Sequence, residues 1–158
     1  PIIEVKEEAY LDGEYINDAT NKIEIYQRIA AIRTDEHADQ LEEELIDRFG
    51  ALTEPVKKIM QVARLKNYAR KLKIKSIIEK PAFVEICFDK APNIEPENML
   101  LAKKQFDNLL KFVPKQNTIQ IKITPINKKH IINLCLKVVK VLTGEKLQKM
   151  TLKKEEKK

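Results

Sequence analysis

With 158 residues, 43% of them hydrophobic, three glycines and no tryptophan, the chain reads as a helix-rich soluble protein large enough to bury one core. No apolar run approaches the roughly 20 residues of a membrane span, no signal peptide opens the chain, and Cys87, Cys135, His37 and His130 form no metal-ligand or redox spacing. The net charge of +6 conceals a division: residues 1–54 carry 5 Lys/Arg against 15 Asp/Glu (net −10), and residues 55–158 carry 25 against 9 (net +16). That division predicts two partners of opposite sign, or one half answering to another module of the same protein.

Residues 1–16 mix apolar and acidic side chains without helical period, and Ile3 and Val5 alternate with Glu4 and Lys6, so this stretch is a short strand or an extended arm or linker from a preceding domain. Pro1 in place of methionine reads as a cut in a longer polypeptide, natural or engineered. Asp18 or Thr20 caps a first helix running to about Ile32, with Ile25, Ile29 and Ile32 inward and Ile23, Tyr26 and Ala30 widening the buried sector. Thr34 caps a second helix from Asp35 to about Phe49. On its wheel Ala38, Leu41, Leu45 and Phe49 share one sector, and Glu36, Glu43, Glu44 and Asp47 fall opposite. Gly50 suits the position after the helix, where φ is positive. Thr53, Glu54 and Pro55 open a third helix to about Leu72, with Val56, Ile59, Met60 and Ala63 inward and its basic residues spread by general solvation.

From Lys75 the period changes to two. Ser76 to Glu79 and Phe83 to Asp89 are expected strands around Lys80-Pro81-Ala82. Met99, Ala102, Phe106, Leu109 and Leu110 predict a helix ending before Pro114, Ile119, Ile121 and Ile123 a strand, and Asn127 the cap of a last helix stopped by Gly144. The expected fold is α+β: a three-helix segment, then a β-β-α-β-α unit whose small sheet is covered by helices on one face. One regulatory domain is expected over 17–145, and 146–158 reads as a charged, disordered tail.

Three segments carry a family resemblance: Tyr26-Gln27-Arg28-Ile29-Ala30, then Glu44-Leu45-Ile46-Asp47-Arg48-Phe49-Gly50, then Ala63-Arg64-Leu65-Lys66. In this order and spacing they resemble the C-terminal domain of bacterial transcription-repair coupling factors, from about Ala9 to Ile74. Thr53 departs from an expected proline, and Asp12-Gly13 replace a proline turn. The resemblance implies a parent protein that uses an ATP-driven DNA translocase to displace stalled RNA polymerase and recruits the damage-recognition ATPase of nucleotide excision repair. It further implies that this domain is an autoinhibitory clamp on the N-terminal module of the same polypeptide. The family's contact acids match Glu44 and Asp47, with Arg48 adjacent.

The residues themselves carry no catalytic signature. There is no G-x-x-x-x-G-K-[ST], G-x-S-x-G, H-E-x-x-H or G-x-G-x-x-G, and Thr143-Gly144-Glu145-Lys146 lacks a phosphate-cradling turn. The expectation is therefore a cytoplasmic, non-catalytic domain with no cofactor, no metal and no membrane contact. The lysine-rich second half offers weak nonspecific attraction to DNA at most. The alternative is a separate basic nucleic-acid-associated or protein-interaction domain.

Overall fold

The computed structural model describes residues 1–145, so the expected tail lies outside the described residues. In chain order the elements are β1 (Ile2–Glu4), α1 (Ala19–Ala30), α2 (Asp35–Phe49), α3 (Glu54–Lys71), β2 (Ile74–Glu79), β3 (Phe83–Phe88), α4 (Pro96–Phe106), β4 (Leu110–Val113), β5 (Thr118–Lys122) and α5 (Ile131–Leu142). This is the expected α+β class.

The first helices begin where their caps place them. The Asp18 carboxylate accepts from the Thr20 N–H at 3.2 Å, and the Thr34 hydroxyl accepts from the His37 N–H at 3.1 Å, which satisfies donors that have no partner within the helix. Gly50 ends α2 at φ +89°, a conformation costly for any residue with a Cβ. Thr53 does not cap α3. Its hydroxyl instead donates to Asp12 Oδ1 at 2.6 Å, and Pro55 at the helix start supplies the fixed φ.

The sheet has five strands in the order β1-β2-β3-β5-β4, with β1 parallel to β2 and every other pair antiparallel. Because paired residues share a face, the register sorts the side chains. Ile3, Ile77, Ile86, Ile119 and Phe112 form one row on the inner face, and Val84, Ile121 and Leu110 form the next. The outer face carries Ile78, Glu85, Gln120 and Lys111 in one row. The carboxyl half of α3, with α4 and α5, shares the inner-face core.

Two elements depart from expectation. The predicted helix to Pro114 stops at Phe106, because Asp107 adopts φ +44° and turns the chain; Leu109 ends a 3-10 turn, and Leu110 begins the edge strand β4. Asn127 does not cap α5, which starts at Ile131. It closes a tight turn by accepting from the Thr124 N–H at 2.8 Å and donating its own N–H to Thr124 Oγ1 at 3.1 Å.

α3 links two apolar clusters. Val56, Met60 and Ala63 pack with Ile25, Ile29, Leu41 and Leu45, and Leu65, Tyr68 and Ala69 pack with the sheet and α5. The opening stretch is bonded to both. Its Glu7 carboxylate accepts from the Ile132 N–H at 2.7 Å and lies 3.3 Å from Lys58 Nζ, so it satisfies a donor at the start of α5, a helix whose own N-cap residue supplies no side-chain bond.

Candidate functional site

The site predicted from sequence lies at the carboxyl end of α2, beside α1. Leu41 and Leu45 are buried in the helical core, and this fixes the rotation of α2 and hence the direction of its acids. Glu44 bonds Arg28 of α1 and, one turn along α2, Arg48 at 3.1 Å. Arg48 also reaches Glu24 at 3.8 Å and Asn21 Oδ1 at 3.4 Å, and its guanidinium lies 4.9 Å from the centre of the Phe49 ring. The bond from Arg28, with the guanidinium of Arg48 adding to it, holds the Glu44 carboxyl below its ordinary range. The pair raises the Arg28 pKa in turn, again chiefly through the Glu44 hydrogen bond.

The structure therefore divides the predicted trio. Glu44 and Arg48 join α1 to α2. Asp47 points outward, and among the described residues it makes no ion pair or side-chain hydrogen bond. The same holds for the exposed Glu36 and Glu43. Beside these acids stands Ile46, 50% exposed, an aliphatic side chain that sequence reading did not single out. Its only signal is its position at the edge of the apolar sector, followed directly by Asp47.

The opposite flank of α2 is pinned by Arg64 of α3, which contacts Asp39 at 2.7 Å, Glu42 at 3.2 Å and Asp35 at 3.7 Å. Burial works against the charge on Arg64, but Asp39 and Glu42 hold its pKa above the ordinary value. This side chain is a bridge and not part of a general solvation shell. The Tyr68 hydroxyl donates to Asp35, and burial, then that carboxylate, drives its pKa upward. Tyr26, expected in the core, is 39% exposed; its hydroxyl oxygen accepts from the Leu11 N–H at 2.9 Å, so the ring lies at the surface and the oxygen ties down the arm.

Burial pushes the Cys135 thiol up to about 12, with Glu7 and Glu79 adding to the effect, and burial also raises the Cys87 thiol, so both are poor nucleophiles. Among the described residues, no three His, Cys, Asp or Glu side chains are grouped to hold a metal ion, and no helix is long and apolar enough to cross a membrane.

Fold and site together define an α+β domain with a pinned helix that turns an acidic face to solvent. The family model described as the TRCF domain matches residues 5–99, and the chain belongs to that family. Similar proteins include the transcription-repair-coupling factors of Escherichia coli (strain K12), 33% identical over 75 residues (48% of this chain, 6% of that protein), and Bacillus subtilis (strain 168), 31% identical over 99 residues (63% and 8%). That of Borreliella burgdorferi is 28% identical over 141 residues, 89% of this chain and 12% of that protein. The chain thus spans only a small fraction of the relatives' length. A solved structure described as the C-terminal domain of transcription-repair coupling factor superposes with a TM-score of 0.75 at 26% identity, covering 93% of this chain and 94% of that one.

Proposed function

We propose that this domain is a non-catalytic regulatory clamp within a cytoplasmic transcription-repair coupling factor. The parent polypeptide is an ATP-dependent DNA translocase that displaces stalled RNA polymerase and recruits nucleotide excision repair. The clamp lies against a basic surface of the N-terminal module of the same polypeptide and limits access of the damage-recognition ATPase to it. The observation that carries this reading is the set of outward carboxylates of Glu36, Glu43 and Asp47 beside exposed Ile46, with no side-chain partner among the described residues, on a helix otherwise held at both flanks. Unpaired charges around one apolar side chain suit an interface with a polar rim and a small apolar centre.

The test is association in trans between this domain and the separately produced N-terminal module. Binding is expected to weaken with salt and to fall at least tenfold, about 1.4 kcal/mol, in Asp47→Lys, while the domain melts as before. Salt-independent binding, or binding indifferent to Asp47→Lys, contradicts the proposal. The domain alone is expected to hydrolyse no ATP, with or without DNA; turnover abolished by a point substitution within it would overturn the non-catalytic reading.

A further inference from the structure

A second surface lies between α1 and α3, away from the Asp47 face, and its inference does not rest on the clamp reading. There the two helices and the start of the chain enclose a hollow of about 330 Å³. Its lining is aliphatic, with Ala30, Ile59 and Val62, apart from the ring of Tyr26, and its charged side chains are Arg33, Lys66 and Arg70, with no carboxylate among the side chains that line it.

The two arginines are fixed in place. Arg33 donates from Nη1 to the carbonyls of Ala30 and Ile32, both at 2.8 Å. Arg70 donates from Nη2 to the Ile32 carbonyl at 3.1 Å and to Asn67 Oδ1. The bland account is that they cap the carbonyl end of α1, which is favourable for cations. It accounts for one nitrogen of each guanidinium. A guanidinium has five N–H donors, and among the described residues the remaining nitrogens of both, like Lys66 Nζ, make no hydrogen bond or ion pair. Burial first, and then the neighbouring Arg33 charge, lowers the Arg70 pKa.

We propose that this hollow is a docking site for an acidic peptide segment of a protein partner, with an aliphatic side chain on the Ile59–Val62 floor and neighbouring carboxylates on Arg33, Lys66 and Arg70. Charge complementarity selects the anion. Tyr26 is the one aromatic among the lining residues, against six aliphatic side chains (Ile29, Ala30, Ile32, Ile59, Val62 and Ala63), which favours a peptide over nucleic acid, whose successive bases stack on several exposed aromatic rings. Pre-positioned guanidiniums lose little freedom on pairing with carboxylates. An adjoining hollow of about 570 Å³ shares Ile59, Val62 and Lys66 with this one but is lined by Glu4, Glu7 and Glu79, so the carboxylates of the segment are confined to the α1–α3 side, where Arg33 and Arg70 stand.

The probe is an end-blocked twelve-residue peptide with leucines at helical spacing and glutamates between them, compared with its glutamine twin by fluorescence anisotropy and by methyl NMR of the whole chain. The acidic peptide is expected to bind at least tenfold more tightly than its twin, shifting the methyl resonances of Ile59 and Val62. Lys66→Glu, which disturbs no described bond, should remove most of that preference without changing the melting temperature. The proposal is overturned by equal binding of the two peptides, by no binding, by shifts confined to another face, or by indifference to Lys66→Glu. It is also overturned if a single-stranded oligonucleotide of equal charge outcompetes the peptide at these residues, or if the chain self-associates through them.

Discussion

The two halves of α3 serve cores of different make. The first half completes a small cluster with α1, α2 and the opening stretch, and charged side chains frame that cluster on both flanks: Arg28, Glu44 and Arg48 on one, Arg64 with Asp39 and Glu42 on the other. The second half lies over the sheet and α5, where cohesion is almost wholly apolar and the ion pairs Lys75–Asp89 and Lys80–Glu85 are long, at 3.9 Å each. A small cluster cannot bury enough surface to fix three helices alone, so charge and hydrogen bonds help to set their angles. The difference divides the acidic face of α2: some of its carboxylates hold the helix, and Glu36, Glu43 and Asp47 bond no side chain among the described residues.

This contrast is most severely tested in the sheet half. Ile86 is fully buried and sits in the inner row, so Ile86→Ala is expected to cost about 3 kcal/mol through lost burial and an unfilled cavity, read by urea unfolding. A cost below about 1 kcal/mol would mean that the sheet core is loosely packed. In the helical half, Arg64→Ala is expected to cost about 2 kcal/mol, because it strips charged hydrogen bonds from Asp39 and Glu42. Lys80→Ala in the sheet half should stay within about 0.5 kcal/mol. If the two lysine and arginine variants behave alike, charge does not distinguish the halves.

The smallest expected effect is acid titration. The folded pKa of Glu44 is depressed, first by the Arg28 bond and then by Arg48. Its stabilising contribution is therefore complete above the ordinary glutamate value of about 4.3 and is lost as pH falls through the lower folded value. Glu44→Gln should be less stable than the parent near neutrality, and the two stability curves should converge in acid. Curves that stay parallel would show that the carboxylate does not act through its charge.

What could be read from sequence was local. The caps at Asp18 and Thr34, the glycine stop at Gly50 and the inward stripe of α2 each depend on residues within a few positions of one another, and all stand in the structure. What could not be read depends on distant partners. The parallel pairing of β1 joins Ile3 to Ile77, and β4 was hidden because Leu109 and Leu110 continue the helical spacing of Ala102 and Phe106 past the turn at Asp107. The candidate site was half legible. A helical wheel turns Glu44 and Asp47 to one side, but only the position of α1 shows that Arg28 meets Glu44 and that Asp47 has no side-chain partner among the described residues.

That split gives the most direct test of the proposed clamp. Glu44→Ala and Asp47→Ala are placed separately in the whole coupling-factor polypeptide, and each is measured for domain melting and for capture of the damage-recognition ATPase of excision repair. The account predicts that Asp47→Ala raises capture with melting unchanged, whereas Glu44→Ala lowers the melting temperature. Early melting of Asp47→Ala, or capture indifferent to it, would contradict the assignment of that face to the closed clamp.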